Sequence, residues 1–137
     1  MARIALSSAS LRFFGDDLDP DDLTRRLAGS PTKSARKGDP RISQSSRQYV
    51  EKTGSWRLNA LDAKPGDLDA QIQWIFASLT PDLSVWDELS TRFRADIFCG
   101  LFMDERNEGL EINPETLAAM GARGVTLSLD IYDPIKG

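Results

Sequence analysis

The sequence predicts an α+β fold, a mainly antiparallel twisted sheet of about five or six strands with helices packed largely on one face. Three observations predict it. The stretches RIALSSASLRFF near the start, RADIFCGLFM and VTLSLDIY alternate apolar residues as strands do. Stretches opened by an Asp or Asn cap carry apolar residues at helical spacing. The order runs strand, helix, two or three strands, two helices, strand, helix, strand, which reads as one α+β sandwich. A chain of 137 residues suits a single domain, 1–137, that buries about two-thirds of its unfolded surface.

Residues 3–14 form the first predicted strand. Ile4 and Leu6 share one phase and Ala9, Leu11 and Phe13 the other, so a bulge or bend is expected near Ser7 and Ser8. In GDDLDPDDLTRRLAG, Asp19 suits an N-cap and Pro20 the first helical position. Asp21 and Asp22 favour the positive end of the helix dipole, Leu23 and Leu27 lie one turn apart, and Gly29 is expected to end the helix. Thr32–Lys37 reads as a short edge strand and Gly38-Asp39-Pro40 as a turn. Gln48–Lys52 and Ser55–Leu61 read as a hairpin around Thr53-Gly54, with Trp56, Leu58 and Ala60 on one side.

Asp67 is expected to cap a second helix with Leu68, Ile72, Ile75, Phe76 and Leu79 on its stripe. A third helix carries Trp86, Leu89 and Phe93, with Ser84 and Asp87 as a capping box if it begins late. In the strand that follows, Ala95, Ile97, Cys99, Leu101 and Met103 alternate. After the loop DERNEG, Asn113-Pro114-Glu115 opens a last helix with Leu117 and Met120 inward. The final strand alternates through Val125, Leu127, Leu129 and Ile131. LDPDDL at 18–23 and INPETL at 112–117 share one grammar, read as the common way to start a helix rather than as a duplication.

Composition narrows the chemistry. The chain has no histidine, which removes Ser-His and Cys-His nucleophile activation, the usual neutral-pH proton shuttle and histidine metal ligands. One cysteine, Cys99, allows no intrachain disulfide. Catalysis by carboxylate or lysine stays formally open, but no residue is assigned a catalytic role and no cofactor or metal is expected. No apolar run approaches the roughly 20 residues that span a bilayer. The N-terminal run lacks the long apolar region of a signal peptide, so a cytoplasmic protein with no membrane partner is expected. The net charge of −4 is uneven: −1 over residues 1–29, +5 over 30–57 and −8 over 58–137. The whole-chain balance argues against a nucleic-acid partner, which needs a broad basic footprint.

The run FFGDDLDPDDLTRRL, then PT and KGDP, then GSWRL and a closing GARGVTLSLDIY resembles the bacterial domain-of-unknown-function family 4279, from about Leu11 to Tyr132. Where that family tends to read Leu-Gly-hydrophobic-Pro-Thr, this chain reads Leu27-Ala-Gly-Ser-Pro-Thr32, a difference expected to shift the helix end by a residue. The resemblance implies a compact, mostly single-domain bacterial protein and carries no catalytic residues over. An immunity-type role, binding and silencing a toxin, follows by analogy with other small domains of this kind.

Five aspartates, Asp16, Asp17, Asp19, Asp21 and Asp22, imitate the start of a calcium loop. Asp22 stands where that loop needs glycine and Ala28 where it needs glutamate, so helix capping is the better reading. Cys99 shares the phase of Ile97 and Leu101 and reads as a buried small hydrophobe. Asp104, Glu105, Glu108 and Glu111 read as a solvated loop, and Trp74 is expected to pack against a neighbouring helix.

The basic island is the remaining candidate. Lys33, Arg36, Lys37, Asp39, Arg41, Arg47, Tyr49 and Arg57 are its candidate binding residues, with Lys52 and Trp56 interleaved. Arginine forks beside an aromatic ring suit a carboxylate, a phosphate or an acidic protein surface. The alternative is that these cations balance the acidic remainder through surface ion pairs, each contributing about 0–1 kcal/mol. Two functions are thus carried forward. The first is a non-enzymatic binding or interaction module for a protein or small anionic ligand, in an immunity-like role. The second is a small-ligand sensor or enzyme with a carboxylate-lined pocket. The oligomeric state is left open.

Overall fold

The computed structural model describes residues 2–134. In chain order the elements are β1 (Ala2–Arg3), β2 (Leu6–Gly15), α1 (Pro20–Leu27), β3 (Lys33–Ala35), β4 (Pro40–Ile42), β5 (Gln48–Val50), β6 (Gly54–Asn59), α2 (Leu68–Ala77), α3 (Leu83–Arg92), β7 (Arg94–Phe102), β8 (Glu108–Gly109), α4 (Pro114–Arg123) and β9 (Thr126–Tyr132). Five strands form the main sheet in the order β3-β6-β2-β7-β9, flanked by the two-stranded pairs β1-β8 and β4-β5. This is the α+β architecture expected. The sheet is mixed, however: β3, β6, β2 and β7 pair antiparallel, whereas β9 runs parallel to β7. The helical crossover through α4 brings the chain back in the same direction, and only a parallel pairing is then open to the last strand.

One face of the sheet is the core face. Leu11, Phe13, Trp56, Leu58, Ile97 and Cys99 point from it towards Leu23 and Leu27 of α1, Ile72 and Ile75 of α2, and Trp86 and Leu89 of α3. Each fully buried leucine or isoleucine contributes about 1.5–3 kcal/mol of transfer free energy. Phe13 lies at the centre, 6.1 Å from the Trp56 ring and 6.1 Å from that of Trp86. Trp56 satisfies its indole N–H by donating to Thr24 Oγ1 at 3.1 Å, and Trp86 by donating to the Thr80 carbonyl at 2.8 Å. Arg123 of α4 closes this end of the core, its guanidinium 4.6 Å from the Phe76 ring centroid.

A buried polar network joins α2 to β2. Ser7 Oγ donates to Gln71 Oε1 at 2.6 Å, while Gln71 Nε2 donates to the carbonyls of Ser7 at 3.0 Å and Leu61 at 2.8 Å. The same Ser7 oxygen accepts the Asp67 N–H at the start of α2. This network corrects the expected bend near Ser7-Ser8. The break falls at Ile4–Ala5, and Ser7 points inward with Ala9, Leu11 and Phe13 because its hydroxyl has partners there.

Other expectations also change. Gln48–Lys52 does not pair with Ser55–Leu61; β5 pairs with β4, and β6 inserts between β2 and β3. Gly54 lies within β6 rather than in a turn, because a Cβ there would meet the Gly15 carbonyl at 2.7 Å. In α1 the left-handed cap is Ala28, at φ 58°, and not Gly29. Gly29 is required for packing instead: a Cβ would lie 2.6 Å from Leu79 Cδ2 and 2.9 Å from the Ser78 carbonyl oxygen. Asp82 caps α3, so the late start with a Ser84–Asp87 box does not occur. Leu117 is half exposed, and Thr116 takes the inward position beside Met120. Asp19 caps α1 through its side chain, whereas Asn113 makes no such cap and donates to Asp69, so the shared grammar of the two helix starts is used differently. No helix among the described residues is long and apolar enough to cross a membrane.

Candidate functional site

The basic island divides into three parts. The first closes on the aspartate loop at the start of α1. Arg36 Nη2 donates to Asp19 Oδ1 at 2.7 Å and Asp21 Oδ2 at 2.9 Å, and Lys37 Nζ reaches Asp16 Oδ2 at 3.2 Å. Hydrogen bonding from Thr53 and then Lys37 holds the Asp16 carboxyl below its ordinary range, and the Asp21 and Asp19 carboxylates raise the Arg36 guanidinium. Asp39 accepts the Arg36 N–H, while Arg41 donates to the Ser34 carbonyl and lies 3.4 Å from Glu51 Oε1. Asp22 pairs with Arg25 and Asp17 with Arg92. Asp16, Asp19 and Asp21 on one side and Arg36 and Lys37 on the other are therefore each other's counterions.

The second part is an arm. β4 and β5 pair only with each other, so Arg47, Tyr49, Ile42 and Val50 are all exposed on a two-stranded hairpin. Its tip is shaped by Ser46, in the left-handed region at φ 61°, and by the Arg47 N–H donated to Ser43 Oγ.

The third part is the sheet face opposite the core. Register places Lys33 opposite Arg57, Arg57 opposite Arg12, and Arg12 opposite Asp96, so four charged side chains line up across β3, β6, β2 and β7. Arg12 joins Asp96 by two hydrogen bonds, Nε to Oδ1 at 2.9 Å and Nη2 to Oδ2 at 2.7 Å. The Arg12 guanidinium also sits 4.3 Å from the Phe98 ring centroid and 5.1 Å from that of Phe14. Hydrogen bonding to Asp96 raises the Arg12 guanidinium. Its neighbour Arg57 moves the other way: partial burial, and then the charge of Arg12, lowers it. Among the described residues neither Arg57 nor Lys33 has an ion-pair or side-chain hydrogen-bond partner.

Only Lys33 and Arg57 of the eight sequence candidates thus share this face. Sequence reading missed Arg12, Asp96, Phe14 and Phe98. One signal was present: Arg12 and Asp96 are opposite charges on the outward phase of the two longest alternating stretches. Their pairing needed the β2–β7 register.

The other candidates take structural roles. Cys99 is fully buried, and desolvation, assisted by the charge of Asp96, pushes its thiol up to about 12. That keeps it from acting as a nucleophile at neutral pH. Glu108 accepts the N–H groups of Ala5, Asp104 and Glu105 and so organises its loop. Trp74 is 49% exposed, against the expectation that it packs on a neighbouring helix, because it projects from the side of α2 away from the core. A concavity of about 600 Å³ beside β1, β8 and the start of α2 is lined by Arg3, Asp67, Asp69 and Glu111. There Asp67 caps α2 and pairs with Arg3, and Asp69 accepts from Asn113 N–H at 2.8 Å, so both carboxylates are already engaged in holding the fold.

No curated protein and no solved structure matches the chain. The family model for the domain of unknown function DUF4279 matches residues 5–134 of the 137, and the chain belongs to that family.

Proposed function

We propose that the protein is a non-enzymatic binding module of the bacterial cytoplasm, in an accessory or immunity-like role. In this reading it engages an acidic surface of a protein partner through the open face of its sheet. The observation that carries this is the row Lys33, Arg57, Arg12: three cations opposite one carboxylate, Asp96. An arginine that is partly desolvated, repelled by a neighbouring arginine and in no ion pair among the described residues gains most from an incoming carboxylate. Phe14 and Phe98 supply apolar surface beside the neighbouring Arg12, the mixture of arginine and aromatic groups that anchors interfaces. A single buried thiol fits a reducing compartment.

The test is a pull-down from the native host's lysate with the wild type, the double variant Lys33→Glu/Arg57→Glu and the arm variant Arg47→Glu/Tyr49→Ala. Partners held by the wild type and the arm variant but lost by the sheet-face variant support the reading. Partners retained by the sheet-face variant and lost by the arm variant move the contact to the hairpin and defeat it.

A further inference from the structure

We propose that the free edge of β9 is a homodimer interface, at which two copies of the chain join their sheets antiparallel about Leu129. β9 is an edge strand of seven residues, and of the devices that keep edges from pairing it carries a single charge, Asp130. It contains no proline, no lysine and no bulge. The opposite edge is guarded by contrast: β3 has only three residues, follows Pro31 and begins at Lys33.

The side chains of β9 are equally unusual. Leu127, Leu129 and Ile131 lie on the core side of the sheet, paired with Ile97, Cys99 and Leu101, yet they are 36%, 47% and 60% exposed. The helices that cover the neighbouring strand stop short of them. Three large aliphatic side chains in a row beside an unpaired backbone edge make a continuous apolar strip.

A second copy is the occupant that the strand's own pattern selects. The Tyr132 carbonyl accepts from Met103 N–H on the β7 side, so by alternation Leu127, Leu129 and Ile131 direct their backbone groups outward. An antiparallel partner centred on Leu129 would exchange N–H and C=O with these three residues. All of β9 would be used: Leu129 opposite Leu129, Leu127 opposite Ile131, Ser128 opposite Asp130, and Thr126 opposite Tyr132. Apolar residues then meet apolar ones. The strand's one charge, Asp130, meets a hydroxyl rather than its own copy, and a β-branched residue meets an aromatic. Centring the pair on Asp130 would instead oppose two carboxylates.

Light scattering behind size exclusion and cysteine cross-linking test this together. The wild type is expected at twice its 15.2 kDa chain mass. Leu129→Lys is expected at the single mass with its circular dichroism unchanged, since Leu129 is half exposed in the free chain. Ser128→Cys and Asp130→Cys proteins are expected to form an intermolecular disulfide when mixed under mild oxidation, and not when kept apart. Buried Cys99 stays silent in this assay. A wild type that runs at the single mass at 100 μM overturns the proposal. So does a Leu129→Lys protein that stays at the double mass, or a mixture that does not cross-link.

Discussion

Arg12 and Asp96 face each other across β2 and β7 on the solvent side of the sheet, joined by two parallel hydrogen bonds of 2.9 and 2.7 Å. The Asp96 side chain is only 5% exposed and that of Arg12 18%. Arg12 also packs against the rings of Phe14 and Phe98 on a face the helices leave uncovered. The two charges of the pair act oppositely on Arg57: burial and then the charge of Arg12 lower that guanidinium, while Asp96 partly offsets them.

Breaking the pair from one side leaves a charge without its partner in a partly dry site. Arg12→Ala is expected to lower stability by about 3 kcal/mol. Replacing both residues, as Arg12→Met with Asp96→Leu, is expected to recover most of that loss. Urea unfolding of the wild type and the two variants, with unchanged slopes, measures both effects; equal losses in the single and double variants would show that packing rather than charge pairing sets the cost.

The end of α1 makes a second prediction. Ala28 holds a left-handed conformation that costs an L-residue about 1–2 kcal/mol, partly offset by the greater freedom glycine gives the unfolded chain. Ala28→Gly is therefore expected to raise stability by about 0.5 kcal/mol. Gly29→Ala is expected to lower it, because its methyl would overlap Leu79 and the Ser78 carbonyl. Thermal melts of the two single variants should move in opposite directions.

Acid is expected to destabilise the fold. Hydrogen bonds from Arg26 lower the Glu88 carboxyl, Thr53 and Lys37 lower Asp16, and the Ser84 hydroxyl and N–H lower Asp82. A carboxyl held lower in the folded state than in the unfolded state stabilises above the unfolded value, and that contribution is lost as pH falls through the folded one. Tm is thus expected to be level from neutrality to about pH 5 and to drop below about pH 4. The double variant Asp16→Asn/Glu88→Gln should show a shallower drop over the same range, starting from a lower Tm at pH 7.

The thiol gives a fourth. With Cys99 buried and its pKa pushed up to about 12, an aromatic disulfide reagent at pH 8 is expected to leave the native protein unlabelled. Labelling should begin only with global unfolding and should follow the urea transition measured by circular dichroism. Fast labelling in the absence of denaturant would place the thiol near solvent instead.

Much of the fold was legible in the sequence because it is written locally. The caps Asp19, Asp67 and Asn113, the prolines behind two of them, and the inward phases of Leu11, Phe13, Trp56, Leu58, Ile97 and Cys99 depend on residues only a few positions apart. The candidate site was legible in composition but not in arrangement. Seven cations between Lys33 and Arg57 are plain in the chain, but nothing local says that Arg36 and Lys37 close on the aspartates of α1 while Lys33 and Arg57 face outward beside Arg12.

By itself, then, the sequence determined where α1, α2 and α4 begin, which face of β6 and β7 turns inward, and that the chain lacks histidine chemistry. The tertiary structure alone decided that β5 pairs with β4, that β6 lies between β2 and β3, that β9 runs parallel at the edge of the main sheet, and which cations make no ion pair among the described residues. The physical reason is range. Capping and alternation are satisfied within a few residues of backbone. A strand's neighbour and a charge's partner are chosen by contacts between segments such as Arg12 and Asp96, 84 positions apart, which exist only once the whole core has formed.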